Sequence, residues 1–407
     1  MVSETPITAP PVEGNHVSYK PRYIDIGINL ADPIFRGRYY GKERHPDDLS
    51  AVVSRAQEVG CSKLIVTGSD FTSSRHALEL AKEYPGTVYT TAGIHPCSSA
   101  IFSSAHAHEG TDGHTMPCDP DPTQPVPEDH EPDQEKTEKV ISDLGKLIDD
   151  ARSASPNALV AFGEFGLDYD RLHYCSKKVQ LHSFAAQLDL VLSLTPQLPL
   201  FLHSRAAHED FVSLLKAKFG AKLERLEKGG VVHSFTGTVE EMQELMDLGL
   251  YIGTNGCSFK TAENCEVVKG IHLDRLMLET DGPWCEVRPT HEGWKYLVEK
   301  NGTSTESPCE MASGATTPAA SGTSTPDAAT KPAQKTKKPQ KKETGVPERW
   351  PAVKKEKWRE GAMIKGRNEP CMIERVGKVV AGIKGVEVEE VCEAAWRNTT
   401  KIFGLDD

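Results

Sequence analysis

Long hydrophobic runs are missing from this chain of 407 residues. No stretch approaches the ~20 consecutive apolar residues of a membrane-spanning helix, so no membrane partner is expected. CxxC pairs are missing as well. The ten cysteines are scattered and read as reduced thiols of a cytoplasmic or nuclear protein, not as a secreted disulfide framework. The glycine-rich dinucleotide fingerprint and the Walker phosphate loop are absent, which weakens an open nucleotide-binding sheet. A basic, then apolar, start is lacking, and Glu4 and Glu13 appear without an early Arg. Neither secretory nor mitochondrial targeting is expected. An excess of positive charge is also lacking: the formal net charge is −12. The molecule as a whole is therefore no electrostatic attractor for nucleic acid, although charge is segregated along the chain.

What is present is an alternation. Eight short, nearly continuous apolar runs predict buried parallel strands: Tyr23 to Leu30, Lys63 to Gly68, Val88 to Pro96, Leu159 to Asp168, Leu198 to Ser204, Gly229 to Phe235, Leu250 to Gly256 and Leu276 to Pro283. Helical periodicity lies between them, as in SSRHALELAKEY and TVEEMQELMDLG. Strand and helix alternating about eight times predict the α/β class and a closed (β/α)8 TIM barrel. Residues 1–18 read as a flexible arm and 19–405 as the barrel domain. Two insertions interrupt it: an acidic, disordered segment over 103–135 and a Ser/Thr/Pro/Lys-rich one over 301–345. Lys331 to Lys342 form a basic patch that suits a DNA backbone, a nuclear localisation signal or a merely solvated loop.

Ionisable residues interrupt the apolar runs toward their C-terminal ends: Asp25, His95, Glu164, His203, His233 and Asp281. In a barrel those ends converge on one mouth, where chemistry takes place. Any one of them alone is more often a hydrogen-bonded structural residue or half of an ion pair. Together, unpaired burial would be costly for each, which favours a shared partner. Two imidazoles and two carboxylates suit a divalent ion: Zn²⁺, Mn²⁺ or, with more carboxylate and water, Mg²⁺. Glu164, His203, His233 and Asp281 are the expected metal ligands. Asp281 is also an expected catalytic group, by taking a proton from water. Arg205, two residues beyond His203, suits phosphate, or else a salt bridge to an acidic ligand. His95 is a second candidate substrate contact, and Asp168, Tyr169 and His208 are rim candidates. Asp25 either supplements the site or anchors its strand.

The blocks AGIHP (92–96), GEFGLDYDR (163–171), FLHSR (201–205), VHSFTG (232–237) and LETDGPW (278–284) occur in this order. With RNEP (367–370) and NTTKIFGL (398–405), they resemble the signature blocks of the TatD family of metal-dependent deoxyribonucleases. The resemblance covers about Tyr23 to Leu405 apart from the insertions. It implies a divalent-metal-dependent nuclease acting on DNA, with Mg²⁺ commonly the working ion, often trimming from the 3′ end, in DNA repair or DNA degradation. It also implies that Glu164, His203, His233 and Asp281 are the metal and catalytic positions, Glu164 and Asp281 being the expected catalytic groups. Many relatives carry a His-x-His pair in the first strand, where this chain has Gly27 and Asn29; that resembles the TatD-proper branch and favours an oxygen-rich site over a tight two-zinc centre. Two other functions keep the barrel: a metal-dependent ester or amide hydrolase, such as a D-aminoacyl-tRNA deacylase, and a non-catalytic scaffold. The oligomeric state stays open, with a monomer favoured.

Overall fold

The computed structural model describes residues 19–104, 130–298 and 346–405. The eight apolar runs form the eight strands of one parallel sheet: β1 (Tyr23–Ile28), β2 (Cys61–Val66), β3 (Val88–Ala92), β4 (Leu159–Asp168), β5 (Leu200–Arg205), β6 (Gly230–Val232), β7 (Tyr251–Thr254) and β8 (Leu276–Leu278). They are hydrogen-bonded in sequence order. The first and last strands meet through Asp281 N–H to Gly27 O and Asn29 N–H to Gly282 O, both 2.8 Å. The result is the expected (β/α)8 barrel.

Several strands stop earlier than their apolar runs. β3, β6 and β8 end before His95, His233 and Asp281, so these three residues lie just beyond the strand ends, at the mouth. After β6 and β8 the backbone turns at Ser234 and Asp281, which adopt positive φ, 49° and 53°. Such values turn a strand sharply.

The helices lie between the strands: α1 (Leu49–Glu58), α2 (Phe71–Glu83), α3 (Gln134–Ala154), α4 (Lys177–Ser193), α5 (His208–Phe219), α6 (Val239–Asp247) and α7 (Ala262–Gly270), with α8 (Ile373–Lys384) and α9 (Val388–Phe403) after β8. Local sequence starts some of them. Thr238 caps α6 by accepting from Glu241 N–H while the Glu241 side chain accepts from Thr238 N–H, a capping box. From α9 and the residues just beyond it, Trp396, Phe403 and Leu405 pack into the core with Ile24, Ile26, Phe201, Val231 and Met277. None of the described helices is long and apolar enough to cross a membrane.

Residues up to Leu297 and from Arg349 onward form one unit. Of the second, Val298–Glu348, only Val298 and 346–348 are described. The two expected insertions and the N-terminal arm therefore lie almost wholly outside the described residues. The flanks of the acidic one are ordered: Ser103 pairs with Pro132, and α3 begins at Gln134.

Candidate metal centre

Period two along β1 turns Asp25, Gly27 and Asn29 to one side. That side is the barrel interior, because a Cβ on Gly27 would meet Glu279 Oε2 at 2.5 Å and the Phe201 ring at 3.3 Å. Close backbone approach draws the ends of β3 and β4 together. A Cβ on Gly93 would lie 2.7 Å from Gly163 Cα, so glycine is needed for His95 and Glu164 to become neighbours.

Glu164 is the hub. Its Oε1 lies 2.7 Å from His233 Nε2, 3.0 Å from His203 Nδ1 and 3.3 Å from His95 Nε2. All four residues are buried. Behind His203 stands Asp168, fully buried, with Oδ2 3.1 Å from His203 Nε2. Behind His233 stands Glu279, also fully buried, with Oε2 3.4 Å from His233 Nδ1. Two carboxylate–imidazole pairs thus face one carboxylate from two sides. Pairs of this kind fix the orientation of imidazole ligands at metal sites.

The charges respond to this crowding. Burial pushes the Glu164 carboxyl upward, but the charges of His233 and His95 and hydrogen bonds from His203 and His233 outweigh it. The group is held well below the usual carboxylate range. Burial disfavours charge on His233 too, yet Glu164 and Glu279 carry it well above the usual histidine value. Asp168 is likewise lowered, since its bond to His203 and the charges of His203, Arg205 and His95 overcome burial. Burial lowers His95 against the pull of Glu164. His95 Nδ1 accepts from Cys97 N–H at 3.1 Å, so the neutral ring carries its proton on Nε2, the nitrogen turned to Glu164.

Asp281 sits apart from that cluster. Its Oδ1 accepts from Asn29 Nδ2 at 3.1 Å, and its Oδ2 lies 3.2 Å from Cys285 Sγ and 3.5 Å from Ser234 Oγ. Asn29 is itself held by Thr67 Oγ1 at 2.6 Å. Asn29 therefore orients Asp281. Asp25 anchors its strand: it accepts from Thr280 N–H at 2.9 Å, from the Thr280 hydroxyl, and from Gly27 N–H at 3.3 Å. Its burial raises its carboxyl well above the ordinary value in spite of the Thr280 bonds.

Arg205 Nη1 lies 3.9 Å from Asp168 Oδ2, beside the imidazole cluster. Of the rim candidates, Asp168 is a deep support for His203. Tyr169 donates to Asp210 at 2.8 Å and His208 Nε2 lies 2.9 Å from Glu244, partnerships outside the cluster. Sequence reasoning passed over Glu279, although it lies two residues before Asp281 on the same run and period two gives both the same side. It also left RNEP without a role. Arg367 binds Asp48 at 2.6 Å and Glu369 at 2.9 Å, and Asn368 Nδ2 donates to the carbonyls of Thr280 (2.8 Å) and Trp284 (2.7 Å). That segment braces the loop carrying Asp281.

The cluster fits a divalent ion. Glu164 Oε1, His203 Nδ1 and His233 Nε2 lie 2.7 to 3.4 Å from one another, close enough to share one ion. His233 Nδ1 faces the buried Glu279 Oε2 at 3.4 Å, which leaves Nε2 as the nitrogen turned to Glu164 and to an ion held there. Mixed nitrogen and oxygen donors suit Zn²⁺ or Mn²⁺, and Mg²⁺ where oxygen predominates.

Residues 24–404 match the family model described as TatD-related DNase. The chain is 39% identical over 382 residues to a protein of Schizosaccharomyces pombe named deoxyribonuclease Tat-D, covering 94% of this chain and 96% of the relative. It is 33% identical over 263 residues to one of Erwinia tasmaniensis named 3′-5′ ssDNA/RNA exonuclease TatD, covering 64% and 79% respectively. Among solved structures, an uncharacterised amidohydrolase of Saccharomyces cerevisiae superposes with a TM-score of 0.70 at 30% identity, over 94% of this chain and all of that one. The chain belongs to the TatD-related DNase family.

Proposed function

We propose that the protein is a divalent-metal-dependent deoxyribonuclease that hydrolyses phosphodiester bonds, trimming DNA from the 3′ end. The observation that carries this reading is the convergence of three imidazole nitrogens on the Glu164 carboxylate, each outer imidazole backed by its own carboxylate. Glu164, His203 and His233 would hold the ion, with Asp281, on the loop after β8, as the fourth candidate ligand. The family resemblance favours Mg²⁺, and the mixed nitrogen and oxygen donors make Mn²⁺ or Zn²⁺ the alternatives. When bound, the ion supplies Lewis-acid charge for a phosphoryl oxygen and for the attacking water.

The protein's own groups do the rest. Asp281, fixed by Asn29, accepts the proton of the attacking water. His95 presents its Nε2 proton toward the cluster, where it donates to a phosphate oxygen. Arg205 adds a cation beside His203, suited to a neighbouring phosphate. The polarity of 3′ trimming is supported by the name of the Erwinia tasmaniensis relative. The family resemblance points to DNA repair or DNA degradation as the setting. Scattered cysteines and a DNA substrate suit the cytoplasm or the nucleus.

The test uses 3′-labelled single- and double-stranded DNA with Mg²⁺, Mn²⁺, Zn²⁺ or EDTA, beside Asp281→Ala. Metal-dependent shortening from the labelled end that is lost in the variant is expected. Cleavage that persists in EDTA, or that Asp281→Ala leaves unchanged, would overturn the reading.

A further inference from the structure

The loops that leave β7 and β8 meet at two sulfurs. Cys257 Sγ lies 2.9 Å from Cys285 Sγ, and both side chains are buried. No disulfide joins the described cysteines. A disulfide bond measures about 2.05 Å, so bonding needs the sulfurs to approach by about a further 0.9 Å. The backbones are already locked against each other: a Cβ on Gly256 would lie 2.0 Å from Cys285 O. Cys257 N–H donates to Asn255 Oδ1 at 2.8 Å, and Asn255 Nδ2 donates to Ser234 Oγ at 2.8 Å. On the other loop, Cys285 holds a positive φ of 54° and directs its thiol to Asp281 Oδ2 at 3.2 Å. Two sulfurs presented at this distance by separate loops, one of them bonded to the carboxylate at the mouth, exceed what core packing requires.

We propose that Cys257 and Cys285 form a thiol modification site, closed to a disulfide by hydrogen peroxide or an organic hydroperoxide, and that closure lowers activity by withdrawing the Cys285 thiol from Asp281. With hydrogen peroxide, one sulfur attacks the O–O bond and becomes a sulfenic acid, and the other oxygen leaves as water. The second sulfur attacks the sulfenic sulfur, the S–O bond breaks, and the hydroxyl leaves as a second water with the one remaining thiol hydrogen. Both sulfurs are oxidised and the peroxide is reduced, so two thiols and one peroxide give one disulfide and two waters. Cys285 then has no hydrogen to donate to Asp281, which loses a charge-assisted bond. The bond itself stands apart from the nuclease reading, whereas its effect rests on Asp281 belonging to the metal centre.

The experiment treats the purified full chain with hydrogen peroxide, blocks remaining thiols, and looks for a Cys257–Cys285 linked peptide by mass spectrometry. Cleavage of 3′-labelled DNA and Mn²⁺ affinity are measured on the same samples before and after dithiothreitol. The expected result is the linked peptide, a loss of cleavage of about tenfold or more, and recovery on reduction. Cys257→Ser should cleave like the parent and resist peroxide; Cys257→Ala serves the same purpose if the serine variant folds poorly. Absence of the linked peptide, or its presence with unchanged cleavage and Mn²⁺ affinity, overturns the inference. An equal peroxide loss in a folded Cys257 variant overturns it as well. If the reduced protein binds Mn²⁺ but cleaves no DNA, the nuclease reading fails. The inference is then decided by whether the linked form binds Mn²⁺ more weakly.

Discussion

Glu279 stands behind His233: its Oε2 faces Nδ1 at 3.4 Å, while the opposite ring nitrogen meets Glu164 at 2.7 Å. The carboxylate also accepts from Ser234 N–H, so it fixes both the imidazole and the turn that carries it. Removing such a support typically lowers metal affinity by about 10–100-fold. Glu279→Gln should show a loss of that size for Mn²⁺ by titration calorimetry, and an unchanged affinity would remove Glu279 from the site.

Gly27 is the space Glu279 needs. A methyl group there would start 2.5 Å from Glu279 Oε2, closer than packing allows. Gly27→Ala should destabilise the protein by about 1–3 kcal/mol, read from urea unfolding. Combining it with Glu279→Ala tests the contact directly. A double-mutant cycle without coupling would show that the two positions do not compete for the same volume.

The metal-free and metal-bound proteins should respond to pH in opposite ways. Glu164 is depressed from its ordinary value of 4.5, so its contribution is complete above that value and lost as pH falls through the folded one. His233 is raised from 6.5, so its contribution is complete below 6.5 and lost as pH rises through the raised value. Both contributions are present together between 4.5 and 6.5. In EDTA, the share of thermal stability due to this site should be greatest there and decline at higher pH. An ion needs His233 without its cluster-facing proton. The increase in Tm produced by Mn²⁺ should therefore grow with pH, with proton release on binding. A stabilisation that shrinks as pH rises would contradict the assignment of His233.

Arg367 predicts a stability defect remote from chemistry. It joins Asp48 and Glu369 in full burial, with Arg55 bonding Glu369 at 2.8 Å. Removing one partner leaves uncompensated buried charge, a loss of about 3–5 kcal/mol. Arg367→Ala should lower the unfolding midpoint strongly, while any molecules still folded keep near-parental Mn²⁺ affinity. A stable variant that has lost its metal would instead make Arg367 part of the centre.

Asp281→Asn separates binding from proton transfer. The amide keeps the shape of the side chain and still accepts through one oxygen, but it cannot take a proton. Losing a general base typically costs about 10²–10⁴-fold in rate. A fall of that order in kcat on DNA, with Mn²⁺ still bound, is expected. Loss of Mn²⁺ binding alone would make Asp281 a ligand without the base role.

Much of this was legible in the residues. Eight apolar runs separated by helical periodicity specify a parallel sheet covered on both faces, because only burial on both sides favours uninterrupted hydrophobic strands. Ionisable residues at the ends of those runs specify one polar mouth, and Glu164, His203, His233, Asp281, His95 and Arg205 could all be named from it. What the chain order could not express is which of them touch. The tertiary structure brings His95 to Glu164 through the glycine contact of β3 with β4, and sets Asp281 across the mouth among Asn29, Ser234 and Cys285. It also made Asp168 and Glu279 supports for the two imidazoles, and paired two cysteines 28 positions apart. The physical reason is the same in each case. Periodicity fixes the side of a strand on which a residue lies, whereas contact depends on where the backbone turns after the strand and on how closely neighbouring loops approach.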